Sequence, residues 1–280
     1  MSPLLPTCET LLLSVANACL TVTFNRPETR NAMNNQMAAE LNAVVDHLAT
    51  AQEIRTVVFR GAGHNFCAGG DIKERRAQVV ETRPGHDPVF ERNVSAGRLF
   101  RKMARLPQTT IAYVEGAAVG GGFGFACLLD ITLVEASARL GMPETTLGVA
   151  PAQIAPHVVR RIGLTQARHL ALTGRRIDGE EALRLGIAQY LFHGEEDGER
   201  QLAALLAQID RCGPRATAAT KAIMNATLEM DADAIIEFAA RRFAELNQGE
   251  EGREGQAAFV EKRPPRWPSL RPAAGEQEQS

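Results

Sequence analysis

The order of strand and helix signals along the chain constrains its fold more than any other feature. The alternation of Leu20, Val22 and Phe24 marks a strand within Leu11 to Asn25, which stops at Asn25-Arg26-Pro27. Asn34 or Asn35 is placed to cap a helix in which Leu41, Val44, Val45 and Leu48 recur at helical spacing, and Thr56-Val57-Val58-Phe59 follows as a strand ending at Gly61. A polar stretch from about Arg75 to Asn93 leads to a helix around Ala96 to Ala104 and the strand Thr110 to Val114. A glycine cluster, Gly116 to Gly124, then precedes an apolar segment, Phe125 to Leu129, and the strand Ile131 to Val134. Strands alternating with helices predict a layered α/β core. After about residue 200 the strand signals vanish: Leu202, Leu205, Leu206 and Ile209 mark one helix, and Ile235, Phe238, Ala239 and Phe243 another.

A chain of 280 residues with 45% hydrophobic and 23% charged residues has ample apolar material for one large core. The formal net charge of -2 gives no electrostatic reason to expect nucleic acid or an anionic membrane as a partner, so any anion site must be local. The five cysteines are odd in number and never form a C-x-x-C pair, which reads as free thiols in a reducing compartment and not as a disulfide framework or zinc site. No metal is expected. No basic leader precedes a long apolar stretch, and no apolar run approaches the ~18 residues a membrane span needs. A cytoplasmic location is the expectation.

Two small-residue loops could carry chemistry. Phe66-Cys67-Ala68-Gly69-Gly70-Asp71 follows a strand and a turn, and Val119-Gly120-Gly121-Gly122-Phe123-Gly124 follows another strand at the start of what reads as a helix. Either alone could be a tight turn, since glycine marks turns more often than sites. A dinucleotide-binding turn is set aside because the G-x-G-x-x-G spacing is absent. Together, however, two such loops can aim two backbone N–H groups at one oxygen, and a helix N-terminus adds unpaired donors and a partial positive charge.

The segments Asn25-Arg26-Pro27 with Arg30-Asn31-Ala32-Met33, Phe66 to Asp71, Val119 to Phe123, Met142-Pro143-Glu144 with Leu147-Gly148, and Ala258 to Arg263 resemble, in order, the enoyl-CoA hydratase/isomerase (crotonase) family. The resemblance implies a crotonase-type spiral of ββα repeats over residues 1–200 and a helical C-terminal region over 201–270 that packs trimers or dimers of trimers. Residues 271–280 are expected to be a disordered tail. It further implies that the N–H groups of Gly70 and Gly121 stabilise a thioester enolate and that Glu144 is the catalytic carboxylate. Arg30, Ala32, Ala68, Gly70, Asp71, Ile72 and Lys73 would line the coenzyme A surface, and Phe259 and Lys262 would complete a CoA site, often that of a neighbouring subunit. No cofactor is implied, because coenzyme A arrives as part of the substrate.

One departure bears on the reaction. Many hydratases of the family carry a second glutamate two residues after the glycine triplet, where this chain has Gly124. A single carboxylate suits a 1,3-proton shift, in which one group removes a proton and returns it, and it also suits hydration with help from another polar group. Gln153, within Ala150-Pro151-Ala152-Gln153-Ile154-Ala155-Pro156, could orient a water without deprotonating it, or could simply cap a helix or face solvent. His157 one turn on could be a base or a structural residue. This stretch, with Gly-Gly-Gly-Phe-Gly-Phe-Ala-Cys and Arg161 to Arg168, resembles one branch, the isohexenylglutaconyl-CoA hydratases of acyclic terpene degradation. That branch implies water addition to a branched, β-carboxymethyl enoyl-CoA. A cation or donor cluster should then lie beyond the enoyl group, and the variable segment from Arg75 to Arg92, with its several arginines, could supply it. The alternatives are an enoyl-CoA isomerase with Glu144 as sole proton shuttle, and a catalytically inactive acyl-CoA- or RNA-binding protein.

Overall fold

The computed structural model describes residues 5–77 and 87–267. The predicted first strand is a hairpin, β1 (Leu11–Ala16) and β2 (Cys19–Phe24), because Asn17 and Ala18 take φ of 50° and 59° and turn the chain in two residues. β3 (Thr56–Gly61), β4 (Thr109–Val114), β6 (Ile131–Glu135) and β8 (Tyr190–Phe192) extend the sheet in parallel, in the order β1-β2-β3-β4-β6-β8. After β2, β3, β4 and β6 the chain adds a piece to a second, thinner layer. That layer holds the short parallel pair β5 (Ala117–Val119) and β7 (Arg139–Gly141), together with bridges Met33–Gly70, Cys67–Ala118 and Leu140–Ile177. Strand, cross-layer strand and helix repeat as a spiral, the crotonase-type α/β fold that the sequence resemblance implied.

The helices return the chain between turns of the spiral. α1 (Asn35–Leu48) starts where the Asn34 side chain accepts from the Met37 N–H, and it buries Leu41, Val44, Val45 and Leu48 as its periodicity predicts. α2 (Ile72–Ala77) is short. α3 (Pro88–Ala104) begins earlier than its apolar spacing suggests, because Asp87 caps it and Pro88 suits a first helical position. The glycine cluster and apolar segment merge into α4 (Gly121–Leu128), buried throughout apart from its first residue. α5 (Ala155–Thr173) kinks at Gly163, α6 (Gly179–Arg184) precedes β8, and α7 (Gly194–Ile209) buries Leu202 and Leu205 against the outer face of the sheet. Arg161 of α5 donates to the carbonyls of Cys127 and Leu129, placing a cation at the negative end of α4.

α8 (Pro214–Ala226), α9 (Ala232–Gln248) and α10 (Glu250–Val260) form the helical end of the chain. Glu251 accepts from the Arg215 and Ala216 N–H groups, tying α10 to the start of α8. Lys221 of α8 donates to Asp130 at 2.7 Å and to the Gln108 carbonyl, tying α8 to the core. Among the described residues, neither α8 nor α9 buries a side chain, and Met224, Leu228, Ile236 and Phe243 stand exposed. Of the stripe predicted for α9, Ile235, Phe238 and Ala239 are half-buried in the protomer and Phe243 is exposed. No described helix is long and apolar enough to cross a membrane. The proposed tail, 271–280, lies outside the described residues.

Candidate active site

An aromatic column fixes the two small-residue loops against each other. Phe24 of β2 meets Phe66, the first residue of the first loop, at 5.5 Å between ring centroids, and Phe125 of α4 at 5.6 Å. Phe125 in turn meets Phe100 of α3 at 5.1 Å. Backbone bonds from the Cys67 N–H to the Ala117 carbonyl, 2.8 Å, and from the Val119 N–H to the Cys67 carbonyl, 2.9 Å, join the loops as adjacent strands.

The contact is closest at the glycines. Gly69 has φ of +92°, and a Cβ there would fall 2.8 Å from the Val119 carbonyl and 3.5 Å from the Gly121 nitrogen, so only glycine lets the loops meet. Gly69, Gly120 and Gly122 are buried, whereas Gly70 and Gly121 keep partial access to solvent. Around Gly70, the Met33 N–H donates to the Gly69 carbonyl and the Asp71 N–H to the Met33 carbonyl, at 2.7 and 2.9 Å. Peptide groups alternate in direction along a strand, so the intervening Gly70 N–H is directed away from Met33. Gly121 opens α4, where an N–H has no partner within the helix. Two donors thus border one accessible spot, with the positive end of α4 behind it.

Glu144 lies in a 3-10 turn, Pro143–Leu147, that ends at Gly148 with φ of +72°. Its Oε1 comes 3.0 Å from the place a Cβ on Gly120 would take, which puts the carboxylate directly over the start of α4. One turn further along α4, a Cβ on Gly124 would meet Ile154 Cγ2 at 2.4 Å and the Phe100 ring at 3.4 Å. The space for a second glutamate is thus filled with apolar side chains. Thr145 and Thr146 are turned to the carbonyls of Ala171 and Pro143. Burial pushes the Cys67 thiol up to about 11, so it is no nucleophile near neutrality. His157 packs edge-on against Phe100, and burial followed by the nearby Arg160 charge lowers its pKa. It is a half-buried packing residue of α5.

The residues expected at the coenzyme A surface gather beside the first loop. Arg30 takes φ of 54° and its carbonyl accepts from the Ala68 N–H at 2.9 Å. Ala32, Ala68 and Gly70 are partly exposed, and Ile72 and Lys73 are exposed. Asp71 is different: it is buried, caps α2 through the Glu74 N–H and accepts both Arg26 donors at 3.0 Å. The Glu74 N–H and the Arg26 guanidinium hold its carboxyl below the ordinary range despite burial. Its role here is to brace the loop. Arg26 also donates to the Ala32 carbonyl, and buried Asn31 donates to the carbonyls of Ala62 and Asn65, so these two residues set the shape of the surface. Sequence reasoning left both without a role; Asn31 at φ of 58° is the kind of residue that signals such a turn.

Phe259 and Lys262 lie at the exposed end of α10, whose packing partners are α8 and α9, so the protomer does not bring them to the loops. Gln153 points to α3, where its Nε2 donates to Asn93 Oδ1 at 2.6 Å. A cleft of about 480 Å³ between α1 and α3 is lined by Met33, Asn34, Arg92, Asn93, Leu99 and Phe100. Met33 Cε comes within 4.0 Å of a Cβ built on Gly121, which joins the cleft to the glycine loops. Arg92 is thus on the cleft wall. Residues 78–86 of the arginine-bearing segment lie outside the described residues.

A family model described as enoyl-CoA hydratase/isomerase matches residues 14–270. The short-chain-enoyl-CoA hydratase of Clostridium acetobutylicum is 30% identical over 247 residues, covering 86% of this chain and 91% of its own. The mitochondrial methylglutaconyl-CoA hydratase of Mus musculus is 31% identical over 248 residues, covering 87% and 77%. Among solved structures, Pseudomonas aeruginosa AtuE superposes with a TM-score of 0.87 at 47% identity, covering 92% of this chain and 98% of its own. An enoyl-CoA hydratase/isomerase from Marinobacter aquaeolei superposes with 0.88 at 45%, covering 93% and 99%.

Proposed function

The chain belongs to the enoyl-CoA hydratase/isomerase family, and we propose that within it the protein adds water across the α,β double bond of an enoyl-CoA thioester. The observation that carries the reading is the meeting of the two glycine loops beneath Glu144. The Gly70 and Gly121 N–H groups hold the thioester oxygen and stabilise the negative charge that collects there as the double bond is attacked. Glu144 deprotonates the water. Arg30, Ala32, Ala68, Ile72 and Lys73 form the coenzyme A surface, with Asp71 and Arg26 bracing it from behind.

The substrate is a branched enoyl-CoA with a carboxymethyl group on its β-carbon, of the isohexenylglutaconyl type. Support comes from the polar residues on the cleft wall, Arg92 and Asn93 among them, and from likeness to a hydratase named for methylglutaconyl-CoA. The apolar filling beside Gly124 leaves no room there for a second carboxylate, which also favours a second reading, an isomerase with Glu144 as proton shuttle. Incubation with an α,β-unsaturated CoA thioester separates the two. The hydratase gives a product heavier by one water in the mass spectrum; an unchanged mass with a moved double bond establishes the isomerase instead.

The exposed apolar residues of α8 and α9 support assembly into trimers or dimers of trimers, in which Phe259 and Lys262 of one protomer can reach a neighbour's CoA surface. Light scattering is expected to give a particle of three or six chains. A monomer at micromolar concentration rules this out, and with it the role of those two residues.

A further inference from the structure

The cleft between α1 and α3 begins beside the two glycine loops. Met33, whose backbone bonds flank Gly70, brings its Cε to within 4.0 Å of the place a Cβ on Gly121 would take, and the Phe100 ring comes 3.4 Å from the corresponding point at Gly124. Met33 and Phe100 also line the cleft, so an acyl chain whose thioester oxygen sits on the Gly70 and Gly121 N–H groups starts at its mouth. Beyond them the floor is apolar. Leu99 and Phe100 are buried, and the walls carry the small side chains of Ala38 on α1 and Ala96 on α3, both half-buried. Three asparagines of the cleft are engaged with protein groups: Asn34 accepts from the Met37 N–H, Asn42 donates to the Ala38 carbonyl, and Asn93 accepts from Gln153. The cleft also has an end. Lys102 of α3 donates to Asp46 at 2.7 Å and to Asn42 Oδ1 at 3.5 Å, which ties the two helices together one to two turns beyond Ala38.

We propose that Ala38 and Ala96 are specificity-determining residues, which set how long an apolar acyl chain this cleft accepts. This rests on the reading of the glycine loops as the thioester site. The two methyls leave the floor free for a chain that passes Met33 and Phe100, whereas a larger side chain at either position stands where that chain lies. Each methylene laid on the floor leaves water and adds up to about fourfold in affinity. The gain ends where the chain reaches Asn42, because the next carbon would desolvate an amide and the Lys102 ammonium without replacing their partners. A short acyl group engages the loops alone. A substrate branched at its β-carbon lays its longer apolar arm in the cleft, so the geometry favours a medium-length chain over a crotonyl group.

Saturated acyl-CoA thioesters, which cannot be hydrated, test the cleft separately from the chemistry. Calorimetric titration with butyryl-, hexanoyl- and octanoyl-CoA is expected to give a Kd that falls about two- to fourfold per methylene, at least about 16-fold from butyryl to octanoyl, since the coenzyme A part is common to all three. In Ala38→Leu and in Ala96→Leu that ratio is expected to fall about tenfold, as the leucine takes the place of part of the chain. Leucine is a strong helix former, so both proteins should fold. Ala43→Leu, exposed on α1 and outside the cleft wall, should keep the wild-type ratio. A wild-type Kd that does not depend on chain length overturns the proposal. So does a ratio that both cleft variants keep, or one that Ala43→Leu loses equally. Chain-length-dependent binding with no water added to octenoyl-CoA overturns the hydratase reading and leaves the subsite standing, whereas hydration without that dependence does the reverse. A protein that binds none of the three thioesters overturns both.

Discussion

Glu144→Gln is expected to lower turnover of an enoyl-CoA thioester by about 1,000-fold or more while the protein keeps its fold and its affinity for coenzyme A. The substitution is isosteric, and Glu144 is half-buried on a surface turn whose shape is set by Pro143, Gly148 and the Thr146 hydroxyl. The thermal midpoint should therefore stay within a few degrees. The chemistry has no such reserve. Positioned acid–base groups contribute about 100- to 10,000-fold, and the Gly124 slot that could hold a second carboxylate is filled by Ile154 and Phe100. With the carboxylate that lies over the glycine loops made neutral, the water keeps its proton. Loss of enoyl absorbance followed at saturating substrate reads the effect directly. Residual activity within tenfold of wild type would move the base elsewhere, and a variant indistinguishable from an equally inert wild type would favour a protein that binds acyl-CoA without turning it over.

Much of this arrangement is legible in the sequence because it depends on local chemistry. Alternating Leu20, Val22 and Phe24, the helical spacing of Leu41 to Leu48 and the small-residue runs at 66–71 and 119–124 each state a local preference that tertiary packing then uses. β5, β7 and β8, three residues each, are too short to leave a periodic signal, and β5 and β7 are the strands of the second layer that turns the sheet into a spiral. The spacing of Ile235, Phe238, Ala239 and Phe243 predicts the helix α9, yet Phe243 is exposed while the other three are half-buried, because periodicity reports amphipathicity and not what covers it. At the site, the two loops and Glu144 could be singled out by residue type and resemblance. The fate of the missing carboxylate could not, because Ile154 and Gly124 are 30 positions apart in the chain. Asp71 shows the same limit. It lies within the expected ligand segment, but only the fold reveals that Arg26 already holds it.

Adjacent glycines of the second loop should respond to one added methyl in opposite ways, and the difference tests the loop-to-loop contact on which the proposed site depends. In Gly122→Ala the new Cβ would lie 2.1 Å from the Cys67 carbonyl oxygen and 2.9 Å from the Cys67 carbonyl carbon and Cβ. These are main-chain and buried atoms that cannot swing aside. The Cys67 carbonyl is also the acceptor of the Val119 N–H, and the Cys67 N–H donates to Ala117, so retreat by Cys67 breaks the bridge between the two loops. Overpacking of this kind costs about 1–3 kcal/mol, and a lost buried backbone hydrogen bond adds about 1 kcal/mol. A fall in Tm of about 5–10 °C is expected on that basis, together with loss of turnover as Gly70 and Gly121 separate. In Gly121→Ala the nearest atoms to the new Cβ are the Gly69 Cα at 3.9 Å and Met33 Cε at 4.0 Å, ordinary contacts, and the N–H donor is retained. That variant should melt near the wild type. Gly121→Pro should also fold, since proline is tolerated in the first turn of a helix, but it removes the donor and should lose turnover. Equal melting of the Gly122→Ala and Gly121→Ala proteins would show that the loops do not meet as closely as the Cys67 contact requires.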